Sequence, residues 1–238
     1  MKKSRLVATA TATALVMIAF GTQAGIPRLT PGELALLPPF CQDVQTVNGW
    51  EQHVRESPRA PMWVSKMGRS FWDMHHYCWA LTAAHRSRAA GLPPQQRAYL
   101  IGTAVEDLGY VIRNAPPDMV MLPEVFYWIG EFQGQLKQYG EAYEAYRKSR
   151  ELKSDYWPAY AGHADLLTLV GQRAEARAVL EQGLAIMPTE VALRSRLERL
   201  GSSAKSTAGT ETGKKSKAAQ AASAATDAKP RSAAPAPR

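Results

Sequence analysis

The 238-residue sequence lacks the short signatures on which many enzyme assignments rest. It contains no G-x-S-x-G, no H-E-x-x-H and no Walker loop, so nucleophile-elbow hydrolases, zincins of that type and P-loop NTPases are all disfavoured. Cysteine is scarce, with only Cys41 and Cys78, too few for a disulfide-dense mini-domain or a four-thiolate zinc site. The apolar run Leu6–Phe20 falls short of the about 20 residues a spanning helix needs. Residues 201–238 hold no aromatic residue and no Leu, Ile or Val. A segment of that composition cannot bury enough apolar surface to offset chain entropy, and it is expected to be a disordered basic tail.

The body also lacks an excess of either charge. The chain carries a net +8. The tail supplies +5, from seven basic and two acidic residues, and the first 24 residues supply +3 through Lys2, Lys3 and Arg5, which leaves residues 25–200 neutral. The high pI therefore does not describe the folded part, and a nucleic-acid partner is not expected. For the tail, a weak contact with an anionic envelope surface stands beside a plain solubilising role. At the other end, a basic start, a short apolar middle and the small residues Thr22 and Ala24 predict a signal peptide over 1–24, cleaved after Ala24. An uncleaved anchor is the alternative. With cleavage the mature chain has no transmembrane segment and is periplasmic.

What is present is a repeat. At a fixed offset of 34 residues, Phe126 pairs with Tyr160, Gly130 with Ala164, Leu136 with Val170 and Ala142 with Ala176. The series continues with Tyr146 and Leu180, Ser149 and Gly183, Leu152 and Ile186, and Ser154 and Pro188. This aromatic, small, Ala and Pro sequence at that period resembles the tetratricopeptide repeat (TPR), in exported bacterial form. The resemblance implies an all-α solenoid of antiparallel helix pairs and a binding role in place of catalysis. Repeats are placed at 123–156 and 157–190. Their first helices are expected at about 123–136 and 157–170, their second at about 140–153 and 173–186. A degenerate first repeat is placed at about 70–117, with helices from Ser70 to about Ala90 and from about Gln95 to Asn114. Met74, Tyr77, Cys78 and Leu81 form one apolar face of the former. A capping helix is expected over 189–200, with Leu193, Leu197 and Leu200 inward and Arg194, Arg196 and Arg199 outward. Residues 25–68, broken by prolines, are expected to wrap irregularly over the repeats, with short helices from Pro31 and near Gln45–Arg55. The TPR-like helical domain is thus 69–200. Two positions depart from the family pattern: His163 stands where a large apolar residue is usual, and Gln133 where an aromatic is usual.

The resemblance also implies a concave groove lined by the first helix of each repeat. By register its lining is Trp72, His75, Trp79 and Thr82, then Glu124, Tyr127 and Glu131, then Ala161, Asp165 and Thr168. Aromatics would supply contact area, and carboxylates would favour basic or amide groups of an extended peptide. The competing reading covers Trp72 and Trp79 with the N-terminal wrap. Export with two cysteines predicts a Cys41–Cys78 disulfide, against two buried thiols. His75, His76, Cys78 and His85 invite a metal reading. However, adjacent helical residues point about 100° apart and His85 lies nearly three turns from His75, so no metal site and no cofactor are assigned. The sequence reads as a non-enzymatic adaptor for another envelope protein or peptide. A structural subunit that binds through its convex face and a small metal-binding protein are the rivals.

Overall fold

The 34-residue period is built as two helical hairpins that end their first helices in the same way. The computed structural model describes residues 29–44 and 57–201. The expected signal peptide, the helix expected near Gln45–Arg55 and the tail beyond Gly201 lie outside the described residues. In the second repeat α5 (Leu122–Gln135) is followed by α6 (Tyr139–Leu152), and in the third α7 (Trp157–Leu169) by α8 (Arg173–Ile186). Pro123 and Pro158 sit in first turns, where a missing N–H costs nothing. Both first helices close with a left-handed residue, Lys137 (φ 62°) and Gly171 (φ 85°), exactly one period apart in sequence. The Gln138 N–H donates to the Gln133 carbonyl and the Gln172 N–H to the Leu167 carbonyl, the six-to-one bond of a Schellman cap. Only the second of the two turns carries the glycine that this conformation favours.

Ahead of these stands the degenerate hairpin, α3 (Met74–Arg86) and α4 (Pro94–Asn114). The first helix expected from Ser70 starts later. Gly68 takes a positive φ of 64° and residues Gly68–Asp73 form a 3₁₀ turn that feeds α3. It also ends earlier, because the chain turns at Ser87–Gly91, with Gly91 at φ 75°. Within the segment expected to be irregular, α1 (Pro31–Ala35) is closed by a capping box in which Thr30 and Glu33 bond each other's backbone N–H. That segment also holds α2 (Ala60–Met67), which tolerates Pro61 in its first turn. A final helix, α9, covers 191–201. Among the described residues there is no strand, and the fold is an all-α TPR-like solenoid with an N-terminal wrap and a C-terminal cap. No helix among them is long and apolar enough to cross a membrane.

Most of the buried apolar residues belong to one cluster around Phe40, Phe71, Met74, Tyr77, Ile101, Leu108, Val111 and Phe132. A second gathers Tyr160, Leu167, Leu180, Leu193 and Leu200 under α9. Tyr146 of α6 forms a third, small cluster with Ala142 and Leu166. A Cβ added at Gly130 on α5 would lie 2.7 Å from its ring, and one at Gly162 on α7 would lie 2.6 Å away. Two glycines therefore clamp one aromatic ring between successive repeats, and this clamp sets the spacing of α5 and α7.

The N-terminal segment is fixed to α3 by a disulfide and an ion pair, and is closed on itself and α2 through Asp43. Cys41 and Cys78 are joined in a disulfide, with Cα atoms 5.8 Å apart. Glu33 pairs with Arg86, whose guanidinium pulls the carboxyl down to about 2. Buried Asp43 accepts hydrogen bonds from Ser57 Oγ (2.6 Å), Arg59 Nε (3.1 Å) and Trp63 Nε1 (2.7 Å). Phe40 fills the space between Trp63 and Tyr77, with ring centroids 5.9 and 5.7 Å away.

Candidate partner-binding groove

Glu124, Tyr127 and Glu131 fall on one side of α5, since residues three and seven apart along a helix share a face. Each carboxylate is anchored by a phenol. Glu124 Oε1 accepts from Tyr77 Oη at 2.5 Å, and that oxygen in turn accepts from Trp128 Nε1 at 3.1 Å. Glu131 Oε1 accepts from Tyr146 Oη at 2.6 Å. Tyr127 lies between them, packed against Trp128 (5.1 Å) and edge-on to Tyr156 (6.0 Å). Burial, and then the nearby carboxylate charge, pushes the hydroxyls of Tyr127, Tyr146 and Tyr77 above the usual phenol range. The same two causes act on Tyr156, where Glu124 supplies the charge. These phenols stay protonated at any physiological pH. They are donors and packing surfaces, with no tendency to act as bases or nucleophiles.

From α7, Asp165 joins this face with its side chain 54% exposed, and it is held by Arg196 of α9 through Nε and Nη2, both at 2.9 Å. Thr168 is exposed but donates to the carbonyl of Ala164, and Ala161 is buried. The result is a face built by α5 and α7, walled by α9, with carboxylates at Glu124, Glu131 and Asp165 around Tyr127. The expected outward setting of Arg196 is corrected here. Its i,i+3,i+7 relation to Leu193 and Leu200 puts it at the edge of the buried stripe, within reach of Asp165.

The lining expected from the first repeat is also corrected. Trp72, His75, Trp79 and Thr82 do not continue this face. Thr82 is 1% exposed and donates to the Cys78 carbonyl, and Trp79 is 9% exposed. His75 donates from Nδ1 to the Trp72 carbonyl at 2.7 Å. His76 donates to Asp107 of α4 at 2.7 Å and stacks on Tyr110 at 3.9 Å. That side of α3 therefore turns to α4. The side that meets Glu124 is the one with Tyr77 and Leu81, and the N-terminal segment roofs it. Leu36, Leu37 and Pro38 stand across from Tyr77, Leu81, Glu124 and Trp128 around a cavity of about 410 Å³. The wrap thus covers the first repeat's share of the expected groove, and only the second and third repeats are left to line it.

On the opposite face of α5, Phe126, Ile129 and Gln133 join Ala145 of α6 around a larger outer cleft of about 860 Å³, rimmed by Glu141, Glu144, Arg147 and Lys148. Gln133 also lines this cleft, and its Oε1 is buried there without a partner. Among the described residues no three His, Cys, Asp or Glu side chains converge on a possible metal position. Cys78 is taken by its disulfide.

No protein-family model matches the chain, and a comparison with characterised proteins finds no relative. Among solved structures it is similar to the first TPR of Spaghetti (RPAP3), bound to the HSP90 peptide SRMEEVD. That likeness is 15% identical, covers 53% of this chain and 96% of the other, and has a TM-score of 0.39. It is also similar to the Arabidopsis OM64 TPR domain, 14% identical over 53% of this chain and 98% of that one, with a TM-score of 0.38.

Proposed function

We propose that the chain is an exported, non-enzymatic scaffold that binds an extended segment of a partner protein along the α5–α7 face. The single observation that carries this reading is the half-buried ring of Tyr127 set among the carboxylates of Glu124, Glu131 and Asp165. Each carboxylate has one oxygen satisfied by a neighbour, at Tyr77, Tyr146 or Arg196, so the patch is already ordered before a ligand arrives. Its chemistry suits a segment with Lys, Arg or free amide groups, which would gain charge-assisted bonds, with an aliphatic stem or ring laid on Tyr127. Export and a periplasmic location draw support from the basic and apolar composition of residues 1–24 and from the Cys41–Cys78 bond, which suits an oxidising compartment. The tail beyond Gly201 serves as a solubilising or surface-contacting arm.

A second reading, assembly through the outer face, is favoured by the 860 Å³ cleft over Phe126 and Ile129. Photo-crosslinking residues placed one at a time at positions 127 and 148 separate the two in cells. Capture of a partner from position 127, lost when Asp165→Lys is added and the helical signal is kept, supports the groove. Capture from position 148 alone transfers the function to the outer face.

A further inference from the structure

The joint between the second and third repeats contains a histidine that has nothing to bond. His163 of α7 occupies the place that Ile129 holds one period earlier, an inward position between repeats. It is 1% exposed, and both ring nitrogens are buried without a hydrogen-bond partner. Its ring packs edge-on to Tyr143 (4.5 Å) and parallel to Tyr146 (6.0 Å), both from α6. The charged neighbour is Arg150, also from α6, whose Nε is buried and unpartnered while Nη1 donates to Gln182 of α8 and the guanidinium lies over Tyr160. Glu131 of α5 is turned to the Tyr146 hydroxyl, and Asp165 lies on another face of α7 with Arg196. Among the described residues no carboxylate pairs with the imidazole.

A neutral imidazole fits this seam as a flat, mostly apolar plate. A proton changes that. The cation would sit in a dry space, beside a second cation, between two aromatic rings, with no acceptor for either N–H. The nearest relief is water, which α6 and α7 exclude. We propose that His163 makes the α6–α7 joint acid-labile: protonation of its ring loosens the packing of the third repeat on the second while each hairpin keeps its own helices. The ring is held neutral by burial first and by the Arg150 charge second, which bring its titration down to about 4 from the usual 6.5. Because the folded value lies below the unfolded one, the stabilising effect of this joint is complete above pH 6.5 and is withdrawn progressively as pH falls from 6.5 toward 4. The α5–α7 face crosses this joint, so its shape would follow the same titration. The joint proposal nevertheless stands or falls without any ligand.

The test is equilibrium unfolding of the mature chain at a series of pH values, for wild type and for His163→Leu, which restores the aliphatic character of Ile129. Other groups, including His75 and His85, titrate in both proteins and cancel in the comparison. The ratio of the two unfolding constants is expected to be flat above pH 7 and to shift toward His163→Leu by up to about tenfold per pH unit between 6.5 and 4. A ratio constant across that window overturns the proposal. Should the variant fail to fold, the wild-type imidazole titration followed by NMR decides instead. A midpoint well below 6 supports the seam, and one at 6.5 or above overturns it. Hydrogen exchange at pH 5, corrected for intrinsic rate, adds the location. Faster exchange confined to α6 and α7 with helical content retained is expected, and uniform acceleration across α3–α9 overturns the local joint.

Discussion

Gly162→Ala is the most demanding test of the packing described above. Taken alone, the change should help, since alanine is favoured over glycine inside a helix by about 1 kcal/mol. The space does not allow it. The new methyl would lie 2.6 Å from Tyr146 Cε1 and 2.9 Å from Glu131 Oε1, where ordinary contact begins near 3.4 Å. The glutamate can swing aside only by giving up its bond to Tyr146, and the ring has no room to retreat. It is tethered through its hydroxyl to Glu131 and stopped on the far side by Gly130, where an added Cβ would be 2.7 Å away. Opening the seam by several tenths of an ångström is an overpacking cost of about 1–3 kcal/mol, which exceeds the helix gain. The net expectation is a loss of about 1–2 kcal/mol, read as a fall of several degrees in Tm and in the urea midpoint, with unchanged helical content. Gly102→Ala on α4 is the control, because nothing lies within 4 Å of its added Cβ. It should gain about 0.5–1 kcal/mol. If Gly162→Ala matches or exceeds the wild type, the clamp on Tyr146 is not what spaces the repeats.

Two further changes probe other joints. Replacing Cys41 and Cys78 together with alanine opens a 37-residue loop, so stability should drop by up to about 4 kcal/mol in denaturant titrations, and limited proteolysis should begin to cut near Leu36. An unshifted midpoint would show that the Glu33, Asp43 and Phe40 contacts alone fix the segment. Lys137→Gly gives the second repeat the cap residue that the third already has in Gly171. Relief of the left-handed backbone should raise stability by about 0.5–1 kcal/mol, and a loss measured by thermal melting would mean that the Lys137 side chain has a role of its own.

The helices of 123–186 were legible in the sequence to within about a residue at each end, because a 34-residue period, first-turn prolines and turn residues are all local signals. The first hairpin was legible as two helices but not as a face. Its turn is enlarged, so the offset that relates Glu124 to Pro158 has no counterpart that would pick Tyr77 over Trp79 on α3. The N-terminal segment then reverses the accessibility of that helix, covering Tyr77 and Leu81 and leaving Trp72 and His75 partly exposed beside α4. Such a choice depends on contacts dozens of residues apart in the chain. Arg196 was different, since its spacing from Leu193 and Leu200 already placed it on the seam. The phenol partners Tyr77 and Tyr146 carried no sequence signal beyond being aromatic at core positions, because only the fold shows which carboxylate each hydroxyl reaches.

The suture between Cys41 and Cys78 gives the array a direction of growth. A superhelix of this kind lengthens by stacking another hairpin on either free flank. Here the upstream flank is occupied by a covalently stitched cover whose Phe40 and Asp43 are spent on closing it. With Leu193 and Leu200 of α9 closing the other flank, an added unit would have to be spliced between α4 and α9, which would lengthen the carboxylate-bearing stretch and leave the stitched end unchanged.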